Sequence, residues 1–580
     1  GEVLLQAARR AGVHVNASCG GAGVCGKCRV RLIAGELAGG KGRALTEAEY
    51  DEGLRQACTA MVRGDVVVQI PKTSRLSDTG VVGPKQQFAK LHAFDIDSLK
   101  REGLFAPPVD KLFVELPRPS AFDNMADAGR LILGMANQYD ERGLVLSLPV
   151  LRKLRRVLRE DDFRVTVTLA RSVRRNGKNY VVNIQSGNWI KRSYGLAFDV
   201  GTTTVYGQLV DLNSGEVVAG CGDYNAQLSF GEDVISRMLH AERGEGLEEL
   251  QASVAASLNS IIGRLLATAA TDADEVTSLT VAGNTVMTHL LLGLEPHNLR
   301  RAPYVPVSTF FPPIRATDLQ LQLPQHVVTM VFPAISSYVG GDIVAGIMGS
   351  GMYRTEKVTL YVDVGTNAEI VIGNRDWLVC AACSAGPAFE GGGITHGMRA
   401  AVGAIEDFSL DPESLEPMNI TIGNAPALGI CGSGLLAIVA SLFVHGVIDE
   451  RGKFRRGLPG PRVREGRNGY EYVLVWGNEA GEEHDLVMNE VDVQNFLRAK
   501  AAIFAGVKTL VEEVGLRIAD VEQVMLAGAF GSYLNLDSAM AVGLLPEVDP
   551  ARIMYVGNGS LMGARMSEVS NHIRRDVMEV

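Results

Sequence analysis

The sequence predicts a multidomain protein with α+β and α/β parts, and three observations carry that expectation. At 580 residues the chain is too long for one hydrophobic core and requires about three or four domains. Near its start, the stretch SCGGAGVCGKCRV (residues 18–30) gathers three cysteines and four glycines, a density that suits a small module and not a large core. Further on, one strand–turn–strand unit occurs twice, as LAFDVGTTTVYGQLVDLNSGEVV from Leu196 and LYVDVGTNAEIVIGNRDWLV from Leu360. Two copies of one unit imply two similar lobes with a cleft between them. The expected division is a cysteine-bearing domain over 1–75, a linker over 76–105, a small α/β middle domain over 106–190 and a two-lobed domain over 191–580.

Composition narrows the function classes. Apolar residues make up 46% and charged residues 21%, proportions of a well-folded chain and not a disordered one. The net charge is −10 and no long basic run exists, which argues against nucleic acid or an anionic membrane as the main partner. No apolar stretch approaches the roughly 20 residues that a membrane helix needs. The start, GEVLLQAARRAG, reads as an amphipathic helix and not as a secretory signal, and it opens on Gly1 instead of Met. Eight cysteines in such a chain point to the cytoplasm, where thiols serve as ligands or lie buried.

The cysteines of the first domain fall as Cys19-x5-Cys25-x2-Cys28, with Cys58 further on in LRQACTAMV. Soft thiolates in a tight loop suit an iron–sulfur cluster or zinc. Zinc sites usually come as two short Cys pairs. Three ligands in one loop and a distant fourth is the ferredoxin arrangement for a [2Fe–2S] cluster. Gly20, Gly21, Gly23 and Gly26 permit positive φ, so backbone N–H groups can turn toward cluster sulfurs. The first gap holds five residues and not the plant-type four, which resembles the adrenodoxin-like branch. The flanks agree: VLLQAARRAGVHV reads as a helix, and GKCRVRLIAGEL and GDVVVQIP read as strands. Members of that branch begin with a β-hairpin before this helix, which implies that the native N-terminus lies upstream of Gly1.

After Pro71 a mixed polar stretch with turn residues reads as linker. In the middle domain KLFVELP and FRVTVTLA read as strands and VLRKLRRVLRE as an amphipathic helix. The Arg and Lys residues between Arg152 and Arg159 read as a solvated helix face. In each copy of the repeat an apolar strand ends in Asp-Val-Gly-Thr, at Asp199 and Asp363. A glycine beside hydroxyl residues lets N–H and O–H groups close around phosphate oxygens, here Gly201 with Thr202, Thr203 and Thr204, and Gly365 with Thr366 and Asn367. Asp at each strand end can reach Mg²⁺ through its waters. The combination suits a nucleoside triphosphate such as ATP.

This pair of turns resembles phosphate-1 and phosphate-2 of the acetate kinase/sugar kinase/Hsp70/actin (ASKHA) superfamily. VMLAGAFGS (524–532) is similar to its adenosine motif, which implies nucleotide contacts at Gly528, Ala529, Phe530 and Gly531. GICGSGLL (429–436) is a similar turn, with Gly432 and Ser433 lining the cleft. In YVGGDIVAG, Asp342 takes the place of the sugar-kinase catalytic Asp or else caps a helix. The order of ferredoxin-like domain, linker, middle domain and ATPase resembles the reductive activators of corrinoid proteins. These use ATP to return Co(II) corrinoid to Co(I). YNAQLSFGEDVISRM, VAGNTVMTHLLLG and SAGPAFEGGGI are also similar to segments of that family. The resemblance implies a β-grasp fold for the first domain, catalytic Asp199, Asp342 and Asp363, ATP, Mg²⁺ and a [2Fe–2S] cluster. It also implies a corrinoid partner protein, an external low-potential electron donor and a homodimer. The cysteine-rich C-terminus of relatives with two [4Fe–4S] clusters is absent, since the last cysteine is Cys431.

Smaller signals stay open between two readings each. Cys380 and Cys383 form CAAC after a strand, as buried thiols or a second metal pair. Lys500 shares a helix face with Val493, Phe496, Phe504, Val507 and Val511, either snorkelling or touching nucleotide. Glu390 sits among glycines that border the cleft, and His289 reads as a core histidine. Two other functions compete: an activator of a radical 2-hydroxyacyl-CoA dehydratase, and a redox-sensing Hsp70-like scaffold. The first lacks a separate ferredoxin domain, and the second needs a peptide-binding domain.

Overall fold

The computed structural model describes the chain except residues 12, 14, 16–20, 22, 24–25, 43–44, 72–73, 75–94, 175–176, 366, 459, 481–483, 529–533 and 580. It divides into two units. One comprises 1–91, 227–240 and 352–558, and the other 92–226, 241–351 and 559–580. The chain therefore passes back and forth and does not lay its domains end to end.

At the N-terminus, α1 (Leu4–Arg10) buries Leu4 and Leu5 against Val30, Leu37 and Ala60. Strand β1 (Arg29–Ala34) pairs antiparallel with β2 (Leu54–Gln56), Arg29 facing Gln56. It pairs on its other side with β3 (Val67–Gln69). Cys28 immediately precedes β1 and Cys58 closely follows β2, so the ladder itself brings the two thiols together. The backbone bond from Ala57 N–H to the Cys28 carbonyl, 2.8 Å, continues that pairing.

In the second unit a four-stranded sheet runs in the order β4 (Val109–Glu115), β6 (Arg164–Ala170), β7 (Tyr180–Ser186), β5 (Val145–Leu146). Helices α2 (Asp127–Tyr139) and α3 (Leu148–Glu160) pack on it through Leu131, Met135, Leu154 and Leu158. The arginines of α3 face solvent, as an amphipathic helix requires, and Arg159 pairs with Asp127 at 2.7 Å; Lys153 departs from the expected solvated face, being half-buried where it donates to Asn183 Oδ1.

The repeated units form matching sheet halves. β8 (Tyr194–Val200), β9 (Thr204–Asp211) and β10 (Val217–Tyr224) make an antiparallel meander, and β8 then pairs in parallel with β11 (Val276–Gly283). Helix α4 (Val234–Ala241) follows β10, and α5 (Gly246–Ala269) covers β9 and β10. Among the described residues α5 alone is long and apolar enough to cross a membrane, a length the sequence reading did not anticipate. Its Leu250, Val254, Leu258, Ile261 and Leu265 are instead buried, as in a core helix. After β11 come α6 (Thr285–Leu292), β12 (Ile314–Arg315), β13 (Val328–Val331) and α7 (Gly341–Ser350).

In the first unit β14 (Thr359–Val364), β15 (Ala368–Asn374) and β16 (Trp377–Cys383) repeat the meander, and β14 pairs in parallel with β20 (Gln523–Ala527). Between them lie β17 (Ala404–Leu410), β18 (Pro417–Thr421), β19 (Gly429–Ile430), α8 (Gly432–Val444) and α9 (Glu490–Glu513). β21 (Ile553–Gly557) closes the sheet edge beside β20. The last helices, α10 (Gly559–Val569) and α11 (Asn571–Asp576), belong to the second unit, where α10 packs on α7, β8 and β11. That packing is close because Gly349 and Gly563 face each other: a Cβ on Gly563 would stand 1.9 Å from the Ala345 carbonyl oxygen.

Candidate functional site

Cys28 Sγ donates to Cys58 Sγ at 3.2 Å, and no disulfide joins them. The hydrogen bond with Cys58 pulls the Cys28 thiol down to about 6, so it becomes a thiolate easily. Gly21, Gly23 and Gly26 all have positive φ, at 96°, 78° and 68°. A Cβ on Gly21 would stand 3.9 Å from Cys58 Cβ, so Gly21 lies against that cysteine. Two adjacent thiols, one of them readily ionised, fit a soft iron site. Cys19, Cys25 and Gly20 lie outside the described residues.

In the second unit Asp199 is next to last in β8, and the following turn closes with Gly201 N–H on the Thr204 carbonyl, 3.0 Å. Three side chains from other elements hold this turn. Asn225 Nδ2 donates to the Gly201 carbonyl at 2.9 Å, and Asn225 N–H donates to the Thr203 carbonyl at 2.9 Å. Asn284 Nδ2 donates to Thr202 Oγ1 at 3.0 Å while its Oδ1 caps α6 at Met287 N–H. Ser560 Oγ donates to Asp199 Oδ1 at 2.8 Å.

Asp342 sits in the first turn of α7, with Gly340 as the N-cap, so the helix-cap alternative for Asp342 does not hold. Its Oδ1 accepts from its neighbour Ile343 N–H at 2.9 Å. Crowding by protein atoms and the negative charge of Asp199 raise its pKa to about 7, although part of the residue's surface still meets solvent. Two carboxylates and a threonine hydroxyl, all hard oxygens, fit a cation such as Mg²⁺, whose charge would relieve their repulsion.

In the first unit Asp363 occupies the matching place in β14, and Gly365 N–H closes its turn on the Asn367 carbonyl at 2.8 Å. Val364 pairs with Ala368 where Val200 pairs with Val205, so the second turn is shorter by a residue. The two turns are therefore similar and not identical. Gly528 directly follows β20 with φ 87°, and a Cβ there would stand 2.7 Å from Asp363 Oδ1. Only glycine lets the strand end approach that carboxylate. Thr366, Ala529, Phe530 and Gly531 lie outside the described residues.

Gly432 and Ser433 open α8 behind Cys431, which is its N-cap. Lys500 is half-buried on α9, with Nζ 3.2 Å from where a Gly543 Cβ would stand, and burial lowers its pKa. Glu390 lies near Arg237, a fully buried arginine that donates to the Gly231 carbonyl at 2.9 Å and to Gln227 Oε1 at 3.1 Å. Burial brings Arg237 down to about 9 against the nearby Asp233, Glu390 and Glu232 carboxylates.

Cys380 and Cys383 lie inside β16 and not after a strand. Three residues apart on a strand they point to opposite faces, which does not make a chelating pair. Burial raises both thiols, and Cys383 packs against Gly506. His289 is a buried core histidine: its Nδ1 bonds the Thr285 carbonyl at 2.7 Å and its Nε2 accepts from Val307 N–H at 3.1 Å.

Comparison with known proteins adds to this geometry. Residues 1–63 match the 2Fe-2S iron-sulfur cluster binding domain. Residues 98–191 match the RACo linker region, 194–355 the RACo middle region, and 357–580 the C-terminal domain of RACo, the ASKHA domain. The corrinoid activation enzyme RamQ of Eubacterium limosum is 34% identical over 400 residues, 67% of either chain. A solved structure of a reductive activator for corrinoid, iron-sulfur protein is 40% identical with TM-score 0.75, covering 99% of this chain and 91% of that one.

The chain belongs to the corrinoid reductive-activator family. A [Co(II) methylated amine-specific corrinoid protein] reductase of Methanosarcina barkeri is a more distant relative, 26% identical over 67% of this chain and 72% of that one. In this activator the N-terminal part is an iron–sulfur domain and the C-terminal part an ASKHA domain, a nucleotide-binding fold. The module that composition sets apart at 106–190 falls in the family's linker region, and 194–355, read from sequence as the first lobe, is its middle region.

Sequence reasoning did not find Asn225, Asn284, Ser560 or Arg237. The first two and Arg237 lie in the stretches YNAQLSFGEDVISRM and VAGNTVMTHLLLG, whose similarity to family segments was the one available signal. Nothing around Ser560 in GNGSLMGARM marked it.

Proposed function

We propose that this activator uses ATP to drive one electron from a [2Fe–2S] cluster onto the Co(II) corrinoid of a partner protein, regenerating Co(I). One observation carries the reading: a single chain joins an adjacent pair of thiols, Cys28 and Cys58, to two Asp-Val-Gly-Thr turns built into matching sheets. The names of the relatives support the corrinoid target.

Cys19, Cys25, Cys28 and Cys58 would hold the cluster, which supplies one-electron uptake and release. Reduction of Co(II) runs uphill. Each unfavourable 59 mV or so costs about 1.4 kcal/mol, so a gap of about 300 mV needs roughly 7 kcal/mol from outside. ATP can supply this only if the nucleotide state changes the affinity for the partner or for its cobalt environment.

For MgATP, Asp199 and Asp363 hold the metal through its waters, and Gly201, Thr202, Thr203, Thr204, Gly365, Thr366 and Asn367 hold phosphate oxygens. Gly528, Ala529, Phe530 and Gly531 receive the adenosine, with Gly432, Ser433, Glu390 and Lys500 as further contacts. Asp342, in the first turn of α7 beside Asp199, accepts the proton of the attacking water. An external low-potential donor reduces the protein, which works as a homodimer in the cytoplasm.

The test mixes reduced protein, MgATP and a Co(II) corrinoid protein without oxygen and follows the Co(I) absorbance band. Co(I) should form with ATP and fail to form without it, and Asp363→Ala should abolish both hydrolysis and Co(I). Equal Co(I) yield without nucleotide refutes the reading.

A further inference from the structure

The hydrogen bond from Ser560 to Asp199 links the end of the chain to the first phosphate turn. Ser560 is buried, 5% exposed, in the first turn of α10. Two anchors fix that helix. Gly349 and Gly563 seat it on α7, leaving no space for a side chain between the two backbones. At its far end Glu568 accepts from Ser278 Oγ, Thr280 Oγ1 and Arg574, whose Nη2 reaches Glu568 Oε1 at 2.7 Å. Ser278 and Thr280 lie on β11, the parallel neighbour of β8, which carries Asp199 next to its end. The Ser560 hydroxyl is thus held by the same sheet whose carboxylate it meets.

An aspartate carboxylate turns easily about its terminal torsion, a broad twofold well. Asp199 also faces the like charge of Asp342, which tends to push it aside. A fixed donor on one oxygen removes both freedoms. We infer that Ser560 is a positioning residue for Asp199, holding Oδ1 so that Oδ2 is presented to the metal of the bound nucleotide. This rests on the proposed role of Asp199 as a metal-holding group. It assigns a task to a residue that touches neither nucleotide nor metal.

The experiment measures affinity for a fluorescent ATP analogue with and without Mg²⁺, together with the Mg²⁺ dependence of ATP hydrolysis. In Ser560→Ala the gain in affinity that Mg²⁺ confers should fall about tenfold, the scale of a lost hydrogen bond to a charged group. Affinity for the metal-free analogue should stay unchanged, and the Mg²⁺ requirement for hydrolysis should rise far more than the rate at saturating Mg²⁺ falls. Ser560→Thr and Ser560→Val have one shape and differ in the hydroxyl, so their comparison stands even if the alanine variant folds poorly. Thr should bind the Mg²⁺ complex more tightly than Val. Equal Mg²⁺ gains for Thr and Val, or an equal loss with and without metal in Ser560→Ala, overturn the inference. Asp199→Asn in the same assay separates the two levels. If it keeps the Mg²⁺ gain, the reading of Asp199 fails. If it loses the gain while Ser560→Ala keeps it, only the role of Ser560 fails.

Discussion

Replacing Gly563 with alanine tests whether the contact between α7 and α10 sets the turn that follows Asp199. The new Cβ would stand 1.9 Å from the Ala345 carbonyl oxygen, 2.5 Å from its carbon and 2.7 Å from Ala345 Cα. All three atoms are backbone, so no side-chain rotation relieves the overlap. Ordinary contact between carbon and its neighbours begins near 3.5 Å, so the helices must part by about 1.5 Å. Overpacking of this kind costs about 1–3 kcal/mol. Alanine returns up to about 1 kcal/mol in helix propensity, less than the strain. The expected net loss is about 1 kcal/mol. A shift of that size also stretches the 2.8 Å bond from Ser560 to Asp199 beyond hydrogen-bonding range. ATP hydrolysis should then fall on the order of 10²-fold, as misplacement of a catalytic group by an ångström does. Denaturant unfolding and a phosphate-release assay read the two effects. Gly263 supplies the control: it lies exposed in α5 with nothing within 4 Å of an added Cβ, so Gly263→Ala should raise stability by up to about 1 kcal/mol. If Gly563→Ala is as stable and active as the parent, the steric reasoning is wrong.

Other outcomes follow from single features. Arg574→Met leaves the fully buried Glu568 without its counter-charge and should cost about 3–5 kcal/mol in denaturant unfolding. Glu568→Leu combined with Arg574→Met should recover part of that loss. His326 bonds the Val276 carbonyl at 3.0 Å and is held at about 4 by burial and by the charges of Lys153 and Lys111, with Asp274 opposing. The unfolded histidine takes its proton near 6.5 and the folded one does not, so stability is full above pH 6.5 and falls as pH drops toward 4. His326→Gln should remove about 3 kcal/mol of that fall at pH 4, read as a shallower pH dependence of unfolding. Cys58→Ala removes the partner that makes Cys28 acidic and should lower bound iron after anaerobic reconstitution while nucleotide binding persists.

Local chemistry was legible in the sequence because local spacing dictates it. Cys28 and Cys58 flank strands whose apolar pattern is visible in the letters, and pairing of those strands brings the sulfurs within 3.2 Å. The Asp-Val-Gly-Thr turns carry their own signature, since the bonds that close them, Gly201 to Thr204 and Gly365 to Asn367, span only a few residues. The direction of Cys380 and Cys383 was harder. Their spacing resembles a metal pair, and only their place inside a strand sends them to opposite faces.

By itself, then, the sequence determined the strands that flank Cys28 and Cys58 and the two Asp-Val-Gly-Thr turns, all properties of short stretches of backbone. Tertiary structure alone decided what holds those turns. Asn225, Asn284 and Ser560 reach their partners across 24, 82 and 361 residues. A hydrogen bond between side chains so far apart depends on where packed helices and sheets put them. The approach of Gly349 to Gly563 and the buried Glu568–Arg574 pair set the placement of Ser560, and no periodicity along the chain encodes it.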